Sequence, residues 1–347
     1  MADLTYKAGI VGLGFIGGAD QISGDALGQR VEDLDGTHQK ALSNHPRVEL
    51  VAGSSRDAGR RERFAERTGA VVYDDWRRML DAETLDIVSI ATYTPVHAEI
   101  TVACADRGIR AVYCEKPVAS TMAQADSMLQ ACERAGTLLT FNHNLRFHTT
   151  YRRLRDHIAN GGLGELTSVS VQWPTGRLGN VGTHMFDAIQ MVTGRPVMAV
   201  SGLLDEAGKP DCRGDTFRDP GGWGMLRLEG GLMVSVDAAD YARVPPRIRF
   251  NGTEGRALTS GHAIDLEYWG GDRREHWAAD YSEGTGMDRA VREIVDWLDD
   301  GTPFPYAAGE AVRTLEAIIA FHASHRRGTW VELPLKGPDR DFVLHSG

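Results

Sequence analysis

The sequence predicts a two-domain chain: an α/β N-terminal Rossmann-type parallel sheet, then an α+β C-terminal domain with a largely antiparallel open sheet. Three observations carry this. The 347 residues correspond to roughly two domains of about 150 residues each. Up to Phe141, short β-branched apolar runs alternate with amphipathic stretches of helical period, the pattern of βαβ units. Beyond that point strands follow one another across glycine-rich turns, as antiparallel sheets require.

Taken in order, residues 8–13 and 48–53 read as strands, followed by 86–91, 110–114 and 138–141. The intervening helical patterns lie at 60–68, 76–80, 95–107 and 122–135. In the second half, 151–159 reads as a helix stopped by Gly161-Gly162. Strands are expected at 166–173, 198–204, 224–228, 232–238, 247–250 and 264–269, with two late helices at 287–298 and 309–326. The texture changes between 142 and 150, which predicts domains at 1–145 and 146–347.

Composition narrows the function classes. The apolar fraction is 42% and the charged fraction 25%, ordinary for a globular protein. A formal charge of −10 without a long basic run argues against nucleic-acid or anionic-membrane binding. No apolar run is long enough to span a bilayer, and residues 1–7 lack a signal core, so a cytoplasmic protein is expected. Cys104, Cys114, Cys132 and Cys212 lie far apart, without disulfide or zinc-finger spacing, and read as buried reduced thiols.

Gly12-Leu13-Gly14-Phe15-Ile16-Gly17 directly follows the first strand. In such a fingerprint the first glycine permits a tight turn and the second lets backbone approach a pyrophosphate. The third packs helix on strand, and the helix N-terminus faces the phosphate charge. The second strand comes late because residues 18–36 read as an insertion, acidic through Asp20, Asp25, Glu32, Asp33 and Asp35. It is expected as a solvated surface loop, with a lid over the ligand as the alternative. At the second strand's end stands Ser54-Ser55-Arg56, where an acid would bind the ribose hydroxyls of NAD. With no carboxylate at 54 or 55 to repel a 2′-phosphate, NADP is favoured over NAD, although Asp57 lies only one residue further on.

The run Glu115-Lys116-Pro117 follows the strand 110–114. Together with the fingerprint, Thr94-Pro95-x-His97 and Gly182-x-His184-x-x-Asp187, it resembles the Gfo/Idh/MocA oxidoreductase family. Tyr73-Asp74-Asp75-Trp76, Gly252-Thr253-Glu254-Gly255 and Val331-Glu332-Leu333-Pro334 extend the resemblance over nearly the whole chain. It implies NAD(P)-dependent redox chemistry on sugars, cyclitols or their derivatives, and a homodimer or homotetramer built through the open sheet.

Within that frame the chemistry falls on a few residues. Only five of the 38 basic residues are lysines, so Lys116 stands out in a chain that generally uses arginine. A lysine is a compact donor whose pKa falls on burial, which suits proton exchange. The resemblance places Lys116 beside the nicotinamide and the substrate hydroxyl. His184 suits acceptance of the hydroxyl proton, and Asp187 shares its helix face if Thr183 caps a helix to Thr193. The family commonly has an aspartate four residues before this histidine. Asn180 stands there and can orient a hydroxyl but not accept its proton. By the same resemblance Gly12, Gly14, Phe15, Ile16, Gly17, Ser54, Ser55, Arg56, Thr92, Tyr93, Pro95, His97, Glu115 and Lys116 line the cofactor. His143, Asn144, Arg146, Trp173, Arg177, Asn180, His184 and Asp187 join Lys116 as substrate contacts. No grouping has convincing metal-site spacing.

The reading is a dehydrogenase or reductase moving hydride between nicotinamide and a secondary alcohol or ketone of a sugar, cyclitol or glycoside. Two others stay open: a glycoside hydrolase or lyase that recycles its cofactor through transient oxidation, and a non-enzymatic nucleotide sensor.

Overall fold

The computed structural model describes residues 5–206, 217–239 and 245–346. They form two compact units. The first comprises 1–119, 124–144 and 282–309, and the second 120–123, 145–281 and 310–347. The chain therefore leaves the first unit next to the expected boundary, but 282–309 returns to it.

In the first unit six strands form one all-parallel sheet: β1 (Tyr6–Val11), β2 (Val48–Ser54), β3 (Val71–Tyr73), β4 (Ile87–Ile90), β5 (Ala111–Cys114) and β6 (Leu138–Phe141). Their order is β3-β2-β1-β4-β5-β6. Ile10, Ile87, Val88, Ile90, Ala111 and Val112 are fully buried, as strands covered on both faces must be. The order in which strands are added reverses between β1 and β4, the switch point where open α/β sheets leave a crevice beyond the strand ends. The loops after β1, β2, β4, β5 and β6 all leave that carboxyl edge. Every first-unit residue expected at the site lies at the end of one of these strands or in the segment that follows it.

Two features of this unit go beyond what the sequence reading specifies. The helix after the fingerprint is a single turn, Phe15–Gly18, ended by Ala19 in the left-handed region at φ 54°. The crossover to β2 is completed only by the helix His38–Asn44, capped by the Thr37 side chain. The insertion is also not uniformly solvated. Asp25, Glu32 and Asp33 are exposed, but Asp20 is buried. Its carboxylate accepts from Arg63 Nε at 2.7 Å and Nη2 at 2.9 Å, and Arg67 donates to the Gly18 carbonyl at 2.6 Å. The base of the insertion is thus fastened to the helix Ala58–Thr68.

The second unit carries β7 (Leu166–Gln172), β8 (Val197–Leu204), β9 (Gly222–Leu228), β10 (Met233–Ala238), β11 (Arg247–Gly252), β12 (Gly255–Ser260), β13 (Ala263–Tyr268), β14 (Arg274–Trp277) and β15 (Val331–Glu332). These strands form one sheet in the order β14-β13-β12-β11-β7-β10-β9-β8-β15, antiparallel except where β7 pairs with β10. Strand alternation separates its faces. Val169, Val171, Leu226, Val234, Val236, Ile248 and Phe250 are buried on one side. On the other, Leu203 pairs with Trp223 and Ser201 with Met225, and Leu203, Trp223 and Met225 are exposed. β3, β12, β14 and β15 were not expected from the sequence. β12 buries only Gly255, Ala257 and Thr259, too small a set of side chains to give an apolar alternation.

No helix among the described residues is long and apolar enough to cross a membrane. Cys104, Cys114 and Cys132 are buried free thiols, and Cys212 lies outside the described residues. Burial raises the Cys132 thiol to about 11 and the other two further still.

Candidate functional site

The fingerprint adopts the geometry its glycines permit. Gly12 has φ 100°, and a Cβ on it would lie 2.4 Å from the Ala91 carbonyl oxygen. A Cβ on Gly17 would lie 1.9 Å from the Gly12 carbonyl oxygen. The turn therefore closes directly over the end of β4, and the half-buried Gly12 and Gly14 present no side chain where a pyrophosphate would approach. Phe15 is buried, while Gly14 and Ile16 are half-buried. The following helix is one turn long, so its dipole is weak. Arg60, on the helix after β2, brings a cation beside the cradle: its Nη1 lies 3.6 Å from where a Cβ on Gly14 would stand.

At the end of β2 the sequence-predicted residues divide. Ser54 is buried, and its carbonyl accepts from Gly12 N at 2.9 Å. The Ser55 hydroxyl accepts from Asp57 N at 3.2 Å, and Arg56 is exposed. The Asp57 carboxylate turns back to cap the helix Ala58–Thr68, accepting from Arg60 N at 2.8 Å. That cap commits one oxygen of Asp57, the nearest acid to this strand end, to its own helix.

After β5, Glu115 is 7% exposed and heads a buried network. Its Oε1 lies 3.1 Å from His38 Nε2 and accepts from Asn142 Nδ2 at 2.6 Å. Asn142 Oδ1 accepts from Tyr113 Oη at 2.6 Å, and His38 Nδ1 lies 3.0 Å from Ser89 Oγ. Burial by itself would raise the Glu115 carboxyl. Hydrogen bonds from His38 and Asn142, with the charges of His38 and Lys116, outweigh it and hold the group well below the usual carboxylate range. Glu115 Oε2 also accepts from Lys116 N at 3.2 Å. A fixed anion thus braces the backbone carrying Lys116, whose side chain is half-buried. Glu115 is expected to line the cofactor, and its carboxylate is engaged in this network.

His97 is similarly reassigned. It is fully buried, with Nδ1 3.0 Å from the Pro117 carbonyl and Nε2 3.1 Å from the Thr92 carbonyl. It ties the loop after β4 to the loop after β5. Burial lowers its pKa against the opposing pull of those carbonyls. Tyr93 and Pro95 are exposed and Thr92 half-buried. Beyond β6, His143 is buried, and Asn144 donates to Asp35 Oδ2 of the insertion at 3.1 Å.

In the second unit, His184 and Asp187 ride on the helix Thr183–Thr193. Thr183 is its first residue rather than its cap, because a π-helical turn at Leu178–Gly182 runs directly into it. His184 is half-buried and Asn180 is buried at 9% exposure. Asp187 is fully buried and receives Arg146 Nε at 2.7 Å and Nη2 at 2.8 Å. Arg146 also donates to Glu310 at 2.7 Å. These two expected substrate contacts are committed to each other. Trp173 is corrected as well: fully buried, with Nε1 donating to the Gly176 carbonyl at 2.6 Å, it is core and offers no stacking face. Arg177 is half-buried with φ 63°.

Sequence reading missed Arg60, His38 and Asn142. Arg60 carried a usable signal, a basic residue one turn into the helix after β2. His38 carried none, since only the fold brings the end of the insertion against β4 and β5.

Two models of one family match the chain. Residues 6–143 match the model described as "Oxidoreductase family, NAD-binding Rossmann fold", and residues 151–258 match the GFO/IDH/MocA C-terminal domain. The chain is 30% identical over 183 residues to D-glucoside 3-dehydrogenase of Escherichia coli, covering 47% of this chain and 52% of that protein. It therefore spans about half the length of that relative. It is 22% identical to scyllo-inositol 2-dehydrogenase (NADP(+)) IolW of Bacillus subtilis, covering 91% of this chain and 92% of that one. The crystal structure of aldose-aldose oxidoreductase from Caulobacter crescentus superposes with a TM-score of 0.78 at 19% identity, covering 95% of this chain and all of that one. The parallel sheet with its glycine cradle, the second sheet and both family matches agree, and the chain belongs to the Gfo/Idh/MocA oxidoreductase family.

Proposed function

We propose that this protein is an NAD(P)-dependent dehydrogenase or reductase acting on a secondary alcohol or ketone of a sugar, cyclitol or glycoside. The observation that carries the reading is internal to the first unit. The Gly12–Gly17 cradle, the Thr92 loop and Lys116 leave neighbouring strands at one sheet edge, with His97 bridging two of these loops. Bound nicotinamide dinucleotide supplies or takes up the hydride. Lys116 holds the substrate oxygen with its ammonium and exchanges the proton that accompanies hydride transfer. His184 is the second proton carrier, and Asn180 orients a hydroxyl without accepting its proton. The relatives' names, a glucoside and an inositol dehydrogenase, support the substrate class.

NADP is the favoured coenzyme. Ser54 and Ser55 present no carboxylate, Asp57 is spent on its helix cap, and Arg56 and Arg60 flank the place of a 2′-phosphate. We also assign a homodimer or homotetramer built through the sheet face bearing Leu203, Trp223 and Met225, and a cytoplasmic location, which suits the buried reduced thiols. The test is kcat/KM with NADP+ and with NAD+ on inositols and methyl glucosides, in wild type and Arg60→Ala. A higher value with NADP+ is expected, with a preference cut about tenfold in the variant by loss of a charged hydrogen bond. Equal use of both coenzymes by wild type would overturn the preference, and absence of turnover with either would count against the reaction.

A further inference from the structure

We infer that Asp219 is a positioning residue that anchors the turn bearing Asn180, and through it the helix of His184. The inference rests on the proposed roles of Asn180 and His184. The segment entering that helix is strained: Thr175, Gly176 and Arg177 have φ of 67°, 60° and 63° in succession. Two of these residues carry side chains that disfavour the left-handed region. Directly afterwards comes the π-helical turn Leu178–Gly182, whose wider ladder leaves its first amides without carbonyls of the preceding turn.

Asp219 fills that role from a distant part of the chain. Its Oδ1 accepts from Gly179 N at 2.7 Å and its Oδ2 from Asn180 N at 2.8 Å. Ser346 Oγ donates to the same Oδ2 at 2.7 Å and fixes the carboxylate. Flanking backbone bonds hold Asp219 in place: Leu178 N to the Pro220 carbonyl at 3.1 Å, and Arg218 N to the His345 carbonyl at 3.0 Å. The packing has no slack, since a Cβ on Gly179 would lie 2.6 Å from Ser346 Cβ. Asp219 and Ser346 are both buried, so neither contact is a surface accident. A negative group at the start of the continuous turn and helix is also electrostatically favourable. If the two acceptors are removed, the strain at 175–177 can relax, and Asn180 and His184 lose their common register.

The experiment uses the full-length protein as wild type, Asp219→Asn, Asp219→Ala and the milder Ser346→Ala. Hydrogen exchange followed by mass spectrometry should show amides of residues 178–184 exchanging at least about tenfold faster in Asp219→Ala, with Asp219→Asn intermediate. In the same samples kcat on myo-inositol or methyl β-D-glucoside with NADP+ should fall by about 10–100-fold, while the Kd for NADP+ stays unchanged. If Asp219→Ala does not fold, Ser346→Ala should show smaller changes in the same direction. Unchanged exchange at 178–184, or faster exchange with intact kcat, would overturn the inference. If wild type turns over neither polyol, the proposed reaction fails separately, and the exchange data still decide whether Asp219 anchors the turn.

Discussion

Arg146 and Asp187 form a two-point contact in which the guanidinium Nε and Nη2 meet the two carboxylate oxygens at 2.7 Å and 2.8 Å. Thr314 Oγ1 adds a longer bond to Asp187 at 3.3 Å, and Glu310 takes the remaining Arg146 Nη1. The pair ties the start of the second unit to the middle of the helix that carries His184. Their value is conditional: a buried ion pair roughly offsets its own desolvation, but breaking it strands a charge. Arg146→Met should therefore destabilise the protein by about 3–5 kcal/mol in urea unfolding, whereas Arg146→Met with Asp187→Leu should lose far less. Equal losses in the single and double variants would show that the stranded carboxylate is not the cause.

His322 sets an acid limit on stability. It is buried, stacked on Phe342 with ring centroids 4.8 Å apart, and its Nε2 has no hydrogen-bond partner among the described residues. Burial, then the charges of Arg326, His325 and His345, lower its pKa to about 3. The unfolded chain takes up a proton near the ordinary histidine value that the folded chain refuses, so stability falls as pH drops from about 6.5 towards 3. The slope from this group is at most about 1.4 kcal/mol per pH unit. Asp20, lowered to about 2 despite burial by its bonds to Arg63 and Ser23, adds a loss of the same sign below about 4. His322→Phe should flatten urea-derived stability between pH 6 and 4. A variant with the wild-type slope would sink this assignment.

Much of this architecture was legible because the responsible signals are local. The alternation of apolar runs located β1, β2, β4, β5 and β6, and Gly12 and Gly17 sit where a Cβ would collide with backbone. Local signals failed where tertiary partners decide. Trp173 looked like a ligand face because sequence does not show that its indole is consumed by Gly176. Asp57 looked like a near-miss ribose reader, yet its own helix claims it as a cap. Glu115 adjoins Lys116 in the sequence, but its partners His38 and Asn142 come from the crossover before β2 and the end of β6, which only the sheet order brings together. The return of residues 282–309 to the first unit left no trace in periodicity.

The exposed face of the second sheet gives a prediction about assembly. Leu203, Trp223 and Met225 stand together, exposed, on neighbouring strands, and this apolar cluster is the face proposed for self-association. Met225→Glu should shift the protein towards monomer in size-exclusion chromatography with light scattering, with a wild-type circular dichroism spectrum. An unchanged mass would place any self-association elsewhere.

Lys116 is the residue on which the proposed chemistry turns, and the most direct measurement compares wild type with Lys116→Ala. NADP+ affinity and the initial rate of nicotinamide reduction would be followed on inositols and methyl glucosides. The expected result is an unchanged Kd for NADP+ with kcat lowered by about 10²–10⁴-fold, the loss of a proton-exchanging group. A variant that turns over at the wild-type rate would contradict the proposed chemistry.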